Sequence, residues 1–247
     1  MRYFLELSYN GTKYCGWQRQ PDAPSVQQTI EEALSTILRQ STAVMGCGRT
    51  DTGVHAKQYF LHFDCQDALP DNLLFRMNRV LPDDIAIHKL FNVEKEHHTR
   101  FDATHRAYEY HIIFEKSPFE KETAWRYNPS KGLDFELLNK AAALLLEYKE
   151  FYPFCKSNTD VKTMLCDIRR AEWVITEDRL VFHIAADRFL RGMVRLIVGM
   201  CINVAARKLT LESVRHALET QTRLDKPYSV PPQGLFLTDI RYDFISK

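Results

Sequence analysis

The 247-residue sequence lacks an excess of charge, a long apolar run and a flexible linker. It has 33 lysines and arginines against 32 aspartates and glutamates, so the net charge of +1 neither favours nor excludes an acidic partner. The longest apolar helix candidate, near Met193–Ala206, is interrupted by Arg195, Gly199 and Asn203 and would not cross a bilayer. The apolar content of 45% suffices for a sizeable core, and we expect an ordered globular protein.

Targeting and metal-binding patterns are also missing. Residues 1–6 alternate like a strand instead of forming the charged start and apolar centre of a signal peptide. None of the six cysteines has the two-residue spacing of a zinc knuckle or a dithiol redox site, so we expect buried free thiols. His97 and His98 are adjacent and point in different directions in any regular element. The sequence therefore predicts a cytoplasmic protein with no membrane segment and no bound metal.

Helical and strand-like periodicities are mixed along the chain. Alternating apolar residues predict strands, and apolar stripes at spacings of three and four predict helices. The predicted strands lie near residues 2–9, 59–63, 85–93, 108–114, 171–175, 180–185 and 235–244. The predicted helices lie near residues 26–38, 71–80, 134–145, 189–206 and 211–220. We expect an α+β protein of two similar domains of mixed sheet and helices, residues 1–104 and 105–247.

The segment GRTDTGVHA, residues 48–56, sets one carboxylate, Asp51, between two glycines and close to Arg49. Glycine permits backbone angles closed to other residues and close approach of another chain, which would hold Asp51 at the rim of a cleft. Arg49 would then pair with the carboxylate or with a phosphate. A plain tight turn capped by aspartate and threonine explains the same residues. Neither Gly46–Gly48 nor Gly11–Gly16 matches a dinucleotide fingerprint or a phosphate loop, so no nucleotide cofactor is expected.

The predicted helix over residues 189–206 has an apolar stripe, with Arg188, Arg191 and Arg195 recurring on a different face at spacings of three and four. Arg195 lies at the edge of the stripe and is a candidate to reach into a cleft, where a buried guanidinium requires a carboxylate partner. Residues 188–215 contain six basic residues and one acidic residue, a bias that a phosphate backbone can exploit. A solvated helix face explains this bias as well.

Seven segments, in order along the whole chain, resemble the TruA family of tRNA pseudouridine synthases. They are YNGTKYCGWQ (9–18), SVQ (25–27), GRTDTGVHA (48–56), LPDDIA (81–86), RFDATHRAYEY (100–110), FLRGMVR (189–195) and GLFL (234–237). Such ordered agreement is far more specific than any one of these motifs.

The resemblance implies a fold, a substrate and an assembly. The fold is a sheet running through both domains with a central cleft, and the assembly is a homodimer that binds tRNA across both subunits. The reaction is the isomerisation of uridine to pseudouridine in the anticodon stem-loop of several tRNAs, without a cofactor or metal. Such breadth requires reading of RNA shape and backbone, because side chains cannot read the deep major groove of an RNA helix.

The resemblance also implies roles for five residues. Asp51 corresponds to the catalytic aspartate and Arg195 to the arginine that pairs with it and keeps the carboxylate ionised. Tyr108 corresponds to the tyrosine that packs against the target uracil, and Leu235 to a residue on the other side of the pocket. Arg49 corresponds to a residue that contacts RNA near the extruded nucleotide. Tyr108 and Leu235 are also explained as core residues of their strands.

The sequence departs from the family pattern at three places. Thr52 stands where alanine is usual, the segment at residues 56–59 lacks a glycine before its glutamine, and Ala205–Ala206 replaces a more glycine-rich helix end. The first two departures leave the path of the loop after Asp51 open.

Two other functions match parts of the pattern. The first is a tRNA-binding protein that has lost catalysis, and the retention of Asp51 argues against it. The second is a metal-dependent hydrolase that uses His55, His62 and Asp51, and it lacks a recognised ligand spacing.

Overall fold

The structure is a computed structural model that describes residues 1–129, 132–155, 163–176 and 178–245. These ranges contain nine β-strands and five α-helices. The strands are β1 Arg2–Tyr9, β2 Met45–Gly46, β3 His55–Asp64, β4 Ile85–Val93, β5 His105–Ile113, β6 Trp125–Arg126, β7 Ile168–Ile175, β8 Arg179–Ala186 and β9 Leu235–Arg241. The helices are α1 Val26–Leu38, α2 Leu73–Val80, α3 Phe135–Leu144, α4 Met193–Ala205 and α5 Leu211–Thr220.

The chain divides into two compact units, one formed by Met1–Thr104 with Phe236–Lys247 and the other by His105–Leu235. Each unit combines strands with helices, so the expected α+β class is confirmed. The sequence placed residues 105–247 in one domain, whereas the segment from Phe236 onward packs in the first unit. The reason is that β9 pairs in parallel with β3, and the Tyr242 ring packs on Phe60.

Strand β1 is the centre of the first unit's sheet, in which the strands follow the order β4, β1, β3, β9. It pairs antiparallel with both β3 and β4, and β2 adds a short antiparallel pairing to β3. Phe4, Leu5 and Leu7 are fully buried. Leu5 and Leu7 lie on one face of the strand, and the Phe4 ring on the other face is covered edge-on by Tyr242 from the C-terminal segment.

Helix α1 covers the first unit with an apolar face at helical spacing, formed by Val26, Ile30, Leu34 and Ile37. It begins at Ser25, whose hydroxyl accepts a hydrogen bond from the Gln28 amide at 3.3 Å, as an N-cap does.

The second unit contains an antiparallel sheet in the order β5, β8, β7, with β6 pairing in parallel to β5. Helix α3 begins at Asp134, whose side chain accepts from the Leu137 amide at 3.1 Å, and packs against α4 and β7. Helix α4 is buried along most of its length. Among the described residues no helix is both long and apolar enough to cross a membrane.

Helix α4 begins later than the sequence indicated. Gly192 adopts a left-handed conformation with φ of 71° directly before the helix, so the helix starts at Met193 and not near Phe189. Arg188 and Arg191 therefore precede the helix, and the predicted row of three arginines on one helix face is wrong.

Two other basic residues of the 188–215 segment form ion pairs within the unit. Arg207 pairs with Asp134 at 3.2 Å and Arg215 pairs with Glu147 at 2.8 Å. Both pairs are largely exposed and contribute little to stability, but they reduce the positive charge that this segment presents.

Gly46 in β2 lies against two aromatic rings of the first unit's core. Trp17 and Tyr59 are stacked with centroids 4.2 Å apart, and the Tyr59 hydroxyl donates a hydrogen bond to the Gly48 carbonyl. A β-carbon at Gly46 would overlap the Tyr59 hydroxyl and lie 2.5 Å from the Trp17 ring. A β-carbon at Gly48 would meet nothing within 4 Å.

Gly46→Ala is expected to lower the free energy of unfolding by about 1–3 kcal/mol, because the pinned rings leave no space for a methyl group. Gly48→Ala, two residues away, is the matched control and is expected to change it by less than about 0.5 kcal/mol. Urea denaturation of both variants measures the difference. Equal midpoints for the two variants would contradict the packing described here.

His62 on β3 is a buried histidine with a lowered pKa. Burial lowers the pKa of His62 to about 4, and the nearby positive charge of Arg2 acts in the same direction. The ring bonds to the Thr99 hydroxyl at 2.8 Å and contacts His98, while Asp64 and Asp102 oppose the shift. His62 is therefore neutral in the folded protein at pH 7.

Because the unfolded chain binds this proton at a higher pH than the folded one, stability is expected to fall as the pH drops from about 6.5 to 4. His62→Asn should remove up to about 3 kcal/mol of that pH dependence. Exposed His88→Asn is the control and should keep the wild-type dependence. Urea unfolding at a series of pH values measures both, and an unchanged slope in His62→Asn would assign the effect to other groups.

Candidate active site

The Asp51 loop, residues 48–54, joins β2 to β3 in the first unit and is held by backbone hydrogen bonds to the segment at residues 11–17. The Trp17 amide donates to the Thr50 carbonyl at 3.2 Å, and the Gly53 amide donates to the Tyr14 carbonyl at 3.3 Å. Within the loop the Val54 amide donates to the Asp51 carbonyl at 3.1 Å. Residues on both sides of Asp51 are thus fixed by the backbone.

Two glycines make this close approach possible. Gly53 in the loop has φ of 74° and Gly16 in the facing segment has φ of 86°, both in the left-handed region. A β-carbon on Gly16 would overlap the Thr50 carbonyl oxygen. Any other residue at position 16 would therefore push the two segments apart.

The side chains next to Asp51 differ in exposure. Thr50 is buried and its hydroxyl bonds to the Tyr9 hydroxyl at 2.8 Å, whereas Thr52 is exposed and Asp51 is half-buried. A threonine in place of alanine at position 52 therefore adds no atoms to the core. The loop after Asp51 enters β3 directly at His55, so the segment at residues 56–59, which lacks the family's glycine, is the start of a strand.

Arg49 is exposed at the start of this loop and is oriented by a glutamine. Its Nε donates to Gln18 Oε1 at 3.2 Å, and the Gln18 amide donates to Gln27 Oε1 at 2.6 Å. Gln27 lies in α1 and bonds to Glu31 at 2.9 Å. The sequence did not single out Gln18, although it lies in one of the resemblance segments.

His55 and His62 lie near opposite ends of β3, and a β-bulge between Ala56 and Tyr59 interrupts the alternation of the strand between them. His55 accepts a hydrogen bond from the Gly11 amide at 3.1 Å and stacks on Phe236 at 4.6 Å. In the described ranges no three His, Cys, Asp or Glu side chains are grouped to hold a metal ion. The two histidines and Asp51 therefore do not converge on one ion.

Arg195 is half-buried in the first turn of α4 in the second unit. Its Nε donates to the Val230 carbonyl at 2.7 Å, and the Val230 amide donates to the Arg195 carbonyl at 3.3 Å. Burial raises the pKa of the Tyr110 hydroxyl, and the positive charge of Arg195 acts in the opposite direction. The guanidinium of Arg195 thus lies near Tyr110.

Tyr108 stands on the same face of β5 as Tyr110 and Ile112, and burial decreases along this face. Ile112 and Tyr110 are fully buried, whereas Tyr108 is half-buried and contacts Phe189 edge-on at 5.3 Å. Tyr108 is therefore the least buried of these three residues.

Leu235 is buried and follows a short 3-10 turn, Pro232–Gly234. Gly234 packs so closely that a β-carbon would lie 2.9 Å from the Tyr110 ring, and the Tyr110 hydroxyl donates to the Pro231 carbonyl at 2.7 Å. Tyr110 therefore joins the segment before Leu235 to the strand that carries Tyr108. Sequence reasoning treated Tyr110 only as a strand neighbour of Tyr108.

The structure thus groups the five predicted residues in two sets. Asp51 and Arg49 lie in one loop of the first unit, and Arg195, Tyr108 and Leu235 lie around Tyr110 in the second unit.

Comparison with known proteins places this arrangement in a family. A family described as tRNA pseudouridine synthase matches residues 141–243. The chain is 44% identical to "tRNA pseudouridine synthase A" of Azobacteroides pseudotrichonymphae over 98% of its length and 96% of that protein. It is 45% identical to the proteins of the same name from Bacteroides thetaiotaomicron, with 98% and 90% coverage, and Porphyromonas gingivalis, with 98% and 97% coverage. Since relatives at this identity match it almost from end to end, the chain belongs to the tRNA pseudouridine synthase A family.

Proposed function

We propose that this protein converts uridine to pseudouridine in the anticodon stem-loop of tRNAs, with Asp51 acting at the ribose and without a cofactor. The observation that carries this proposal is the match to tRNA pseudouridine synthase A proteins over 98% of the chain. The rigid backbone support of the Asp51 loop is the structural argument that this carboxylate has a chemical role.

The reaction exchanges one glycosidic bond for another. The bond between C1′ and N1 of uridine breaks, the uracil turns in its pocket, and C5 bonds to C1′. N1 gains a proton and C5 loses one to the solvent, so the product is an isomer of the substrate and no redox partner is needed.

Asp51 acts where positive charge develops on the ribose. A carboxylate near C1′ stabilises that charge, as in glycosidases. Two routes are open to it: attack on C1′, or removal of the proton from C2′ to give a glycal. Both require a fixed position, which the hydrogen bonds of Thr50 and Gly53 to the facing segment support.

Arg195 is the partner of the Asp51 carboxylate in this proposal. The bond from its Nε to Val230 fixes the plane of the guanidinium, so the remaining N–H groups have a defined direction. A positive charge held beside a carboxylate in a water-poor site favours the ionised form, which is the reactive one.

Tyr108 and Leu235 are the walls of the uracil pocket in this proposal, and Arg49 is a contact to the RNA backbone. An extruded base loses stacking worth about 1–3 kcal/mol, which a half-exposed ring such as Tyr108 can replace. Exposed Arg49, held through Nε by Gln18, is suited to bind a phosphate.

The setting of the reaction is also part of the proposal. We place the protein in the cytoplasm as a homodimer that binds tRNA across both subunits, as the family resemblance implies. Six free cysteines agree with a reducing compartment. Contacts to the phosphate backbone predict tRNA binding that weakens steeply with salt.

Asp51→Asn should abolish release of tritium from tRNA labelled at uridine C5, with a rate loss of about 10³-fold or more. The substitution keeps the shape of the side chain and removes its charge. Exposed Asp67→Asn is the control with the same change of charge and should release tritium at the wild-type rate.

The outcomes of this experiment are distinct. Absence of tritium release by the wild-type protein from a range of unmodified tRNAs would reject the activity and favour the tRNA-binding protein without catalysis. Wild-type release by Asp51→Asn would reject only the role of the carboxylate. A primary isotope effect with uridine deuterated at C2′ would select proton removal over attack on C1′.

Arg195→Leu should lower the single-turnover rate at saturating tRNA by about 10²-fold or more, because the carboxylate loses its charged partner. Arg195→Lys keeps the charge but loses the bond to Val230, so its single-turnover rate should lie between those of the wild type and Arg195→Leu. Arg126→Leu, at an exposed arginine of the same unit, is the control for loss of one positive charge. Thermal unfolding checks that each variant is folded, and full turnover by Arg195→Leu would remove Arg195 from the mechanism.

A further inference from the structure

A cavity of about 320 Å³ lies at the end of α4 far from Arg195. It is lined by Tyr127, Ile202, Asn203, Lys208, Lys226, Pro227 and Tyr228. All of these residues belong to the second unit. The volume is at the lower end of the range of about 300–1,000 Å³ for small-molecule sites.

Two lysines give this lysine–tyrosine cavity a positive charge. Lys208 and Lys226 are exposed, and neither forms an ion pair with a carboxylate of the described residues. The Lys226 ammonium donates one long hydrogen bond, to the Lys208 carbonyl at 3.5 Å, which holds it beside Lys208 and leaves its other N–H groups for a ligand. Arg207, next to Lys208, is paired with Asp134, so its charge is already partly neutralised by a carboxylate. The two ammonium groups are therefore suited to an anionic ligand.

Two tyrosine rings give the cavity flat apolar surface. Tyr228 is 37% exposed, and Tyr127 packs against Trp125 with centroids 4.6 Å apart. Trp125 also contacts Tyr228 edge-on at 6.0 Å, so the rings support one another. Aromatic side chains beside positive charges are the usual surface for an unpaired nucleotide.

Asn203 supplies a hydrogen-bond acceptor in the lining of the cavity. It is only 6% exposed, and its Nδ2 donates to the Lys226 carbonyl at 3.1 Å, which assigns the other amide atom as the oxygen. That oxygen accepts no hydrogen bond from the residues that the structure describes, and it is not among their buried side-chain atoms without a partner, so it is open to the cavity. A base N–H or a ribose 2′-hydroxyl in the cavity would donate to this oxygen.

The cavity is connected to Arg195 through the segment Lys226–Val230, which runs along α4. Asn203 holds its first residue, Arg195 holds its last, and between them a β-carbon on Gly199 would overlap the Tyr228 carbonyl. A ligand on Tyr228 therefore contacts the same segment that orients Arg195.

We propose that the lysine–tyrosine cavity binds one unpaired nucleotide, with its phosphate at Lys208 and Lys226 and its base against Tyr228. The phosphate would pair with the two ammonium groups, and the base would stack on the Tyr228 ring. A donor of the ribose or the base would bond to the Asn203 oxygen. The inference rests on the proposed function only in that tRNA supplies the nucleotide.

The test is equilibrium binding of unmodified tRNA by filter retention. The pair Lys208→Gln with Lys226→Gln, and separately Tyr228→Leu, should each raise Kd about tenfold. The double lysine variant should also reduce the slope of log Kd against log salt concentration by about 1–2, whereas Tyr228→Leu should leave that slope unchanged. The control pair, Lys116→Gln with Lys121→Gln, removes the same charge from an exposed loop of the same unit and should bind as the wild type does.

A second arm separates tRNA from a free nucleotide as the source. Uridine 5′-monophosphate is titrated into the wild type and into the double variant Lys208→Gln, Lys226→Gln while the tryptophan fluorescence is followed, to which Trp125 beside the cavity contributes. Binding of the mononucleotide that the pair abolishes, with an unchanged Kd for tRNA, assigns the cavity to a free nucleotide. A raised Kd for tRNA without mononucleotide binding assigns it to RNA.

The inference is overturned if both cavity variants bind tRNA as the control pair does and the mononucleotide does not bind. Thermal unfolding identifies a variant that has lost its fold. Tyr228→Phe keeps the aromatic ring and should bind tRNA with the wild-type Kd. Binding is measured without turnover, so absence of tritium release leaves this test intact, and equal Kd values leave the proposed reaction intact.

Discussion

The hydrogen bonds between the Asp51 loop and the segment at residues 11–17 are the constraint on which the first unit's site depends. They require both segments to approach at backbone distance, which only glycine at position 16 permits. The same segment supplies Trp17, which stacks on Tyr59 and thereby fixes β2 and β3 on either side of the loop. Because the backbone is fixed at Thr50 and Gly53, on either side of Asp51, this residue loses little conformational freedom when substrate binds. The site is in this sense preorganised.

The second unit achieves the same rigidity by a different route. Helix α4 and the segment Lys226–Val230 are joined at both ends by side chains, Asn203 at one and Arg195 at the other. The Tyr110 hydroxyl continues this link from the Pro231 carbonyl to β5, the strand of Tyr108. A buried hydroxyl and a half-buried guanidinium are costly to desolvate, and carbonyl acceptors from this one irregular segment satisfy both.

Much of the secondary structure was predictable because it depends on local patterns. The apolar spacing of α1, its serine cap and the alternation in β5 are properties of neighbouring residues, and these elements lie where they were expected. The start of α4 was not predictable from its apolar stripe, because the stripe continues through Leu190 while the left-handed Gly192 ends the helix geometry. The row of three arginines was wrong for the same reason, and two further arginines of that stretch were found in ion pairs that no local pattern indicates.

The sequence by itself determined the family, the identity of the candidate residues and the α+β class, because motifs and periodicities are read along the chain. Only the tertiary structure decided that the last strand packs with the first unit, that Gln18 orients Arg49, and that Tyr110 links Tyr108 to the segment before Leu235. It also decided which lysines are left for a ligand, since Arg207 is paired across 73 residues whereas Lys208 is not. Contacts of this kind join residues far apart in the chain, so their geometry arises only when the chain has folded and the competing partners are in place.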